Sequence, residues 1–322
     1  MNTVFYSGAE ELSEIKKKLL GTAQHAVCAI GFFDGVHVAH SALIKAAREN
    51  ADRLGVPLVA ITFLGEDGKL KPNAARLIGD KERCELISEC GAHSVLLCDF
   101  SAVSYLSPDT FVRNFLVDSL GIVMAVVGAD FRFGRGGAGT AEDLVRCFRE
   151  CSHSARVIDE ILIGGLPVSS TRIRGLLSKG DPRAAAELLG YPYFITGEVA
   201  HGKGIGTGMG IPTINTEIPE GRFIPAIGVY ASVSLIGGTP YPSLTNIGSC
   251  PTFGERGVHA ETYVLGTLGS LYGEHVKIYL IDYLREERKF ASAGELVSQI
   301  EKDKERALKL YGEIKWQEIG LR

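Results

Sequence analysis

The sequence contains no apolar run that approaches the roughly 18 residues that a membrane-spanning helix needs. Residues 1–18 carry acids early and lack an apolar core, so we expect no signal peptide. A basic excess is also absent, because 34 Lys and Arg against 38 Asp and Glu give a net charge of −4 at pH 7. Such a chain cannot neutralise a run of phosphates, and we expect no nucleic-acid or membrane partner.

Cysteine is present but in no pattern that builds a metal site or a disulfide framework. The seven residues are odd in number and none forms a C-x-x-C pair, which disfavours structural zinc. We therefore expect buried, reduced thiols in a cytoplasmic protein. The cysteines are Cys28, Cys84, Cys90, Cys98, Cys147, Cys151 and Cys250.

Glycine is the residue in excess, with 39 of 322 residues, where ~7% is usual. This excess predicts many tight turns, or loops whose backbone approaches a ligand closely. The other proportions, 45% hydrophobic and 22% charged, are those of a globular protein. The length predicts about two domains, each with its own core.

The first half of the chain alternates between apolar runs and helical patterns. Continuous apolar runs separated by helices predict an α/β domain, a parallel sheet with helices on both faces. Ligands of such sheets bind beyond the carboxyl ends of the strands. The predicted strands are 26–30, 57–63, 94–98, 123–128 and 156–163, and the predicted helices are about 41–54, 80–91, 108–120 and 141–151.

The pattern changes near residues 180–192, where two short helical pieces (171–179 and 182–189) end at Gly190. Short strands broken by Gly and Pro follow, which predicts a small antiparallel β-barrel with a C-terminal helix over about 293–311 packed on it. The strands are expected at 193–200, 228–237, 241–247, 259–265 and 275–284, and the apolar stripe of the helix at Leu296, Ile300, Ala307 and Leu308.

Segment 31–40, GFFDGVHVAH, lies between the first apolar run and a helical stretch. A strand, a glycine-containing loop and a helix start bring His37 and His40 onto one face. Helix N-terminal N–H groups and histidine donors suit a triphosphate. The alternative is a pair of surface histidines beside a turn, because short motifs often match by chance. The strand–loop–helix context favours the phosphate site.

Segment 128–139, GADFRFGRGGAG, formally contains the dinucleotide fingerprint G-x-G-x-x-G. We reject that interpretation, because the fingerprint belongs directly after the first strand and here it follows the fourth. A Gly/Arg loop that carries Asp130, Phe131 and Phe133 better suits contacts to a planar ring and a nucleotide. The alternative is a merely flexible hairpin.

Segment 169–174, SSTRIR, places hydroxyls and two guanidiniums at a helix start. Free N–H groups and bidentate arginine donors suit a phosphate clamp, and an ordinary N-cap with solvated arginines is an equal alternative. This segment and the two loops above all follow predicted strands. We therefore expect them at one edge of the sheet, where they would form one site.

The run 202–210, GKGIGTGMG, has Gly at every second position and is followed by PTIN. It is not a Walker A motif, because Gly204 occupies the position of the metal-binding hydroxyl and no helix follows. A flap whose backbone approaches phosphates is one interpretation, and a glycine-rich hairpin with a turn Asn is the other. Thr213 and Asn215 offer oxygen ligands suited to Mg²⁺ on phosphates.

Glu261 is a lone carboxylate in a strand of apolar and neutral residues. It is either a solvent-facing residue or a general base that takes a proton from a substrate hydroxyl. The sequence alone does not separate these two interpretations.

Taken together, these segments resemble the prokaryotic bifunctional riboflavin kinase/FAD synthetase family over nearly the whole chain. Each motif alone is weak to moderate, but seven in the same order are specific. They are GFFDGVHVAH, GADFRFG, SSTRIR, PTIN (212–215), GVY (228–230), NIGSCPTF (246–253) and Glu261.

The resemblance implies a Rossmann-like FMN adenylyltransferase domain over residues 1–186 and a riboflavin kinase barrel over 187–322. ATP would phosphorylate riboflavin to FMN, and a second ATP would adenylylate FMN to FAD, with Mg²⁺ as cofactor. Glu261, His37 and His40 would be catalytic, Thr213 and Asn215 would hold Mg-ATP, and Asp130, Phe131 and Phe133 would contact the flavin. ATP and its phosphates would be bound by Gly31, Phe32, Asp34, Gly35, Ser170, Thr171, Arg174, Gly202, Lys203 and Gly204.

Three departures from the family pattern bear on these expectations. Ala39 replaces a Gly between the two histidines, acids occupy the turn at 65–67, and Ile205 and Thr207 stand where an Arg is common. Two rivals follow: a kinase with a weakened adenylyltransferase half, and a non-catalytic flavin or nucleotide sensor. Retention of Glu261 and both histidines argues against the sensor. The oligomeric state stays open, a monomer included.

Overall fold

The structure, a computed structural model, describes residues 2–64, 75–200, 211–249, 258–266 and 271–313. The described residues fall into two compact units that follow each other in sequence at Ser169 and Ser170. The short segment Ala75–Ile78 belongs to the second unit, although the chain on both sides of it belongs to the first.

The first unit alternates strands and helices. Its helix α4 is α-helical over Pro108–Thr110 and continues as a π-helix over Phe111–Ser119. The other elements are β1 (Asn2–Tyr6), α1 (Leu12–Leu20), β2 (Ala26–Ile30), α2 (Val38–Leu54), β3 (Leu58–Leu64), α3 (Asp80–Glu89), β4 (Ser94–Asp99), β5 (Ile122–Gly128), α5 (Ala141–Glu150), β6 (Ser154–Ile158) and the hairpin β7 (Leu162–Ile163) and β8 (Leu166–Pro167).

The six strands of the first unit form a parallel sheet in the order β1-β4-β3-β2-β5-β6. From β2 the chain first builds outward through β3 and β4, and then returns to the other side of β2 to build β5 and β6. The strand order therefore reverses between β2 and β5. In open α/β sheets this reversal opens a crevice at the carboxyl ends of the two strands, where ligands bind.

The second unit is a closed antiparallel barrel in the order β10-β13-β12-β11-β14-β9, flanked by helices. Gly180 lies against the ring of Tyr283 on β14, so the helix pair before the barrel packs on it. The elements are α6 (Ser170–Ser178), α7 (Pro182–Leu189), β9 (Phe194–Ala200), β10 (Thr213–Glu217), β11 (Gly228–Ile236), β12 (Thr239–Ser249), β13 (Val258–Val264), β14 (His275–Arg285) and α8 (Ala293–Glu313).

The predicted α/β domain and the predicted barrel with its C-terminal helix are both confirmed. The sequence analysis missed β1, α1 and β10, which are short or polar. The expected strand 156–163 is wrong in part, because β6 ends at Ile158 and a separate hairpin begins at Leu162. The helical stripe is also wrong at Leu308, which is 46% exposed, whereas Tyr311, one turn beyond Ala307, is buried.

Tyr311 fixes α8 to the barrel. Its hydroxyl contacts the backbone carbonyls of Ser232 and Ser243, the latter at 2.6 Å, and accepts from the Ser232 N–H at 2.9 Å. Ser232 and Ser243 face each other on β11 and β12. One buried side chain of α8 thus bridges two strands.

We expect Tyr311→Phe to lower the free energy of unfolding by about 1–3 kcal/mol, because buried backbone groups lose a hydrogen-bond partner. Urea denaturation of the full chain, followed by circular dichroism, measures the loss. Tyr105→Phe is the matched control, since Tyr105 is 65% exposed. Equal stability of the two variants would contradict the role given to the Tyr311 hydroxyl.

Candidate active sites

The two histidines of segment 31–40 lie at the N-terminus of α2. His37 is the N-cap residue, with extended backbone (φ −65°, ψ 174°), and its Nδ1 accepts a hydrogen bond from the His40 N–H at 3.4 Å. The two rings stack at 3.6 Å between centroids, and Phe33 contacts His40 edge-on at 5.3 Å. The structure therefore brings both predicted residues together, at the carboxyl end of β2.

Burial sets the charge state of this pair. His37 is 4% exposed, and desolvation lowers its pKa to about 4. Burial also lowers the pKa of His40 well below its usual value, and the neighbouring His37 adds to the effect. Because Nδ1 of His37 accepts a hydrogen bond, the proton of the neutral ring lies on Nε2. At neutral pH the pair consists of uncharged hydrogen-bonding groups.

The loop before the histidines has an uncommon backbone. Phe33 (φ 50°) and Val36 (φ 32°) adopt positive φ without being glycine, a conformation found mostly where surrounding structure enforces it. A Cβ on Gly31 would lie 2.9 Å from the Phe33 ring, so packing demands glycine there. Ala39, by contrast, lies in the first turn of α2 and does not have positive φ, so the position does not require glycine.

The loop after β5 carries the three residues predicted to contact flavin, and it places them differently. Asp130 is exposed, Phe131 is half-buried and Phe133 is 5% exposed. Phe133 packs against Phe111 at 5.5 Å and lies parallel to Phe131 at 5.7 Å between centroids. Because β5 pairs with β2, this loop and the histidine loop leave neighbouring strands at the switch point.

Ser170, Thr171 and Arg174 lie in the first two turns of α6, in the second unit. The helix start predicted for SSTRIR is confirmed. Arg174 Nε donates to the carbonyl of Ala75 at 2.8 Å, within that unit. Their role in phosphate binding stays a prediction.

An aromatic cluster at the carboxyl ends of β2, β3 and β4 was not predicted from the sequence. Phe32 is 42% exposed and lies 5.4 Å from Phe63 and 6.1 Å from Phe100, measured between ring centroids. The available signal was positional, since each residue lies at or just beyond the end of a strand. Parallel strands bring such positions to one edge.

The barrel contains a cavity of about 320 Å³ beside Glu261. The Thr213 hydroxyl donates to Glu261 Oε1 at 2.8 Å. Glu261 is paired with Asn215 on one neighbouring strand and with Asn246 on the other. Asn215, Glu261 and Asn246 therefore occupy one row across three strands, whereas Thr213, two residues before Asn215 on β10, pairs with Tyr263 on β13. Among the residues that line the cavity are Thr213, Asn246, Glu261, Tyr263, Phe290 and Ile300.

The other walls of the cavity come from residues that the sequence analysis did not assign. Asn246 Nδ2 donates to Glu287 Oε1 at 3.3 Å, and its Oδ1 is buried without a hydrogen-bond partner in the part of the chain that the structure describes. Arg285 Nε donates to the buried Asp303 of α8 at 2.9 Å. Asn246 belongs to the quoted motif NIGSCPTF, which was the signal for it.

Several predicted positions lie outside the described residues. They are Gly202, Lys203 and Gly204 with the rest of the glycine run, the acidic turn at 65–67, Cys250 and the remainder of NIGSCPTF. The six described cysteines are free thiols, five of them buried, as expected. No helix in the described part of the chain combines the length and apolar character needed to cross a bilayer.

A switch-point crevice on a parallel sheet and a barrel cavity beside a carboxylate are features of an enzyme with a ligand site in each unit. Comparisons with known proteins name both halves. Residues 20–172 match the family model of FAD synthetase, and residues 189–311 match that of riboflavin kinase. The chain belongs to the bifunctional riboflavin kinase/FMN adenylyltransferase family, an enzyme family of flavin cofactor biosynthesis.

Relatives named bifunctional riboflavin kinase/FMN adenylyltransferase align with nearly the whole chain. The protein of Escherichia coli K12 is 34% identical over 89% of this chain and 93% of its own, and that of Bacillus subtilis 168 is 32% identical over 90% and 94%. A crystal structure titled macrolide-efflux protein, from Streptococcus pneumoniae, superposes with a TM-score of 0.83 at 28% identity, over 95% of this chain and 98% of its own. Neither rival hypothesis, the weakened half or the sensor, is favoured.

Burial of His37 predicts acid sensitivity. Its pKa lies near 4 in the folded chain, below the ordinary value of 6.5, so the unfolded chain binds the proton more tightly. Stability is therefore lost as the pH falls from about 6.5 towards 4, by about 2 kcal/mol between pH 7 and pH 5.

His37→Asn retains an acceptor at the N-cap position and removes the titrating ring. We expect its free energy of unfolding to fall less between pH 7 and pH 5 than that of the wild type, measured by urea denaturation. His25→Asn, at an exposed histidine, serves as control and should follow the wild type. An unchanged pH dependence in His37→Asn would contradict the assignment.

Proposed function

We propose that phosphoryl transfer takes place in the barrel, with Glu261 as general base. The observation that carries this proposal is the position of Glu261 at the cavity wall, where the Thr213 hydroxyl orients one of its oxygens. The ribityl 5′-hydroxyl of riboflavin attacks the γ-phosphorus of ATP and gives its proton to the carboxylate, while ADP leaves. A neutral hydroxyl is a weak nucleophile, which is why this reaction needs a base.

The residues beside Glu261 fit a magnesium ion bound with ATP. Thr213 and Asn215 supply a hydroxyl and an amide oxygen, the hard donors that Mg²⁺ prefers. No group of three His, Cys, Asp or Glu side chains suited to a metal occurs among the described residues. Substrate phosphates and water would complete the coordination, as is usual for Mg²⁺. When bound, the ion neutralises charge on the phosphates.

We propose that adenylyl transfer takes place at the switch point of the first unit. A phosphate oxygen of FMN attacks the α-phosphorus of ATP, and pyrophosphate leaves. FMN is already an anion, so the reaction needs alignment and electrostatic stabilisation and no base. His37 and His40 donate hydrogen bonds as neutral rings, and the N-terminus of α2 adds its N–H groups and dipole. Positive charge would come from the magnesium ion bound with ATP, and the phosphate-binding role of Ser170, Thr171 and Arg174, which belong to the second unit, stays a prediction from the sequence.

The loops at the same edge suit the flavin ring. Asp130 and Phe131 are accessible beside the switch point, and Phe133 supports Phe131 from the core side. The exposed ring of Phe32 offers a second apolar surface. Gly31, Asp34 and Gly35 complete the loop around the phosphates. In the part outside the described residues, Gly202, Lys203 and Gly204 are assigned to the ATP phosphates of the kinase site.

We assign adenylyl transfer to residues 1–186 and phosphoryl transfer to residues 187–322. The family matches, 20–172 and 189–311, support this division, although α6 and α7 pack with the second unit. The partners are riboflavin, FMN, FAD and ATP. The acidic net charge supports the absence of a nucleic-acid partner. A cytoplasmic location agrees with the supply of ATP there and with the free thiols.

Glu261→Gln is expected to lower FMN formation from riboflavin and ATP by about 10²–10⁴-fold, because the amide cannot accept the proton. FAD formation from supplied FMN should be unchanged. Chromatography of the flavins measures both reactions. Glu198→Gln, at an exposed carboxylate on β9, should leave both intact. Loss of both reactions in Glu261→Gln, or of neither, would refute the assignment.

His37→Ala and His40→Ala are expected to lower FAD formation from FMN by about 10²–10³-fold, since each removes a donor to the transferring phosphoryl group. Riboflavin phosphorylation in the same preparation reports whether the chain is folded and should be unchanged. If FMN production falls in parallel with FAD production, the two histidines do not belong to a separate adenylyl-transfer site.

A further inference from the structure

The carbonyl of Phe32 is held from the inside of the protein by two side chains. Thr62 Oγ1, on β3, donates to it at 3.0 Å, and Arg83 Nη1, on α3, donates to it at 3.0 Å. Thr62 is fully buried, and the Arg83 side chain is 4% exposed. Two elements far apart in sequence thus converge on one peptide group of the histidine loop.

Burial of the Arg83 side chain is energetically unfavourable. Removing a guanidinium from water is unfavourable unless its charge and its N–H groups find partners. Asp80, one turn earlier on α3, lies 2.6 Å from Nη2 and provides the counter-charge. A methionine could fill similar volume without that penalty. The arginine is therefore better explained by what its second donor holds, the Phe32 carbonyl.

Fixing this carbonyl also fixes the next backbone donor. A trans peptide group is planar, with its C=O and N–H pointing in opposite directions. With the Phe32 carbonyl turned towards Arg83 and Thr62, the Phe33 N–H points away from them. No hydrogen bond from the Phe33 N–H occurs among the described residues. Phe33 has a φ of 50°, a conformation that needs such support.

We propose that Arg83 and Thr62 are positioning residues for adenylyl transfer. They hold the Phe32–Phe33 peptide, and through it the positive-φ loop that leads to His37, in the geometry that the phosphates require. This inference rests on the proposed role of the histidine loop. Neither side chain touches the substrate, and both act through the backbone of the loop.

The test compares Arg83→Met, Arg83→Lys, Thr62→Val and the double variant Thr62→Val/Arg83→Met. We expect kcat for FAD formation from FMN to fall by about 10–100-fold in Arg83→Met and Thr62→Val, since small misplacements of a reacting group cost that much. The KM values for FMN and ATP should stay within about twofold. Arg83→Lys keeps the charge and one donor, and should recover part of kcat.

The double variant distinguishes one positioning role shared by the two side chains from two independent structural defects. If both side chains hold one carbonyl, loss of either frees the peptide, and the double variant should lose much less kcat than the product of the single losses. A double variant whose loss of kcat equals the product of the two single losses would overturn the proposal. So would a rise in KM at unchanged kcat, or a fall of both activities that follows the thermal unfolding midpoint. If Arg83→Met does not fold, the KM and kcat values of Thr62→Val decide whether the proposal stands.

Two controls remove similar groups elsewhere in the same unit. Ser94→Ala deletes a buried hydroxyl that donates to the Leu19 carbonyl at 2.8 Å, at the opposite end of the sheet. Arg113→Met deletes an arginine that pairs with Asp109 on the surface. Both should keep kcat. His37→Ala in parallel tests the proposed function: if it alone loses activity, the histidine site stands and the role of Arg83 and Thr62 falls.

Discussion

Polar side chains withdrawn from water are the constraint on which both sites depend. A buried donor or acceptor must find a partner inside the protein, and that requirement leaves it few positions. In the first unit, Thr62 and Arg83 meet the backbone of the histidine loop. In the second, Ser232, Thr245 and Thr262 form a chain of hydroxyls across three strands at 2.7 and 2.9 Å. These contacts fix strand register and loop geometry more narrowly than apolar packing alone would.

The same constraint shapes the wall of the kinase cavity. Asp303 is 5% exposed on α8 and is met by Arg285 on β14 and by Gln299 one turn earlier, at 2.9 and 2.7 Å. Because Arg285 and Asp303 both line the cavity, the ion pair that docks α8 also shapes the site. Tyr311 anchors the far end of the same helix between two strands. The helix is thus a structural part of the cavity beside Glu261.

Particular residues show which parts of the fold and of the candidate sites could be predicted from the sequence. Apolar runs and glycine loops were sufficient to predict the parallel sheet, the barrel and the approach of His37 to His40, because periodicity and chain direction determine them. The burial of Phe133 was not visible, since a phenylalanine in a glycine-rich loop suits a ligand as well as a core. The partners of Arg83 and Asp303 were not predictable either. Their contacts join residues that are 51 and 18 positions apart in sequence, and such contacts depend on tertiary packing.

The two proposed sites differ in the charge of their side chains, and this difference matches the different nucleophiles of the two reactions. A ribityl hydroxyl is neutral and must lose its proton, and the barrel places an exposed carboxylate, Glu261, beside a hydroxyl donor at the cavity. The phosphate of FMN is an anion already, so the proposed adenylyl transfer needs no carboxylate as a base. There the fold supplies neutral rings at a helix N-terminus, with their basicity lowered by burial. A neutral imidazole can donate a hydrogen bond to a phosphate without acting as a counter-ion. Under the proposed assignment, the exposure of Glu261 and the burial of His37 match the different charges of a neutral hydroxyl and an anionic phosphate.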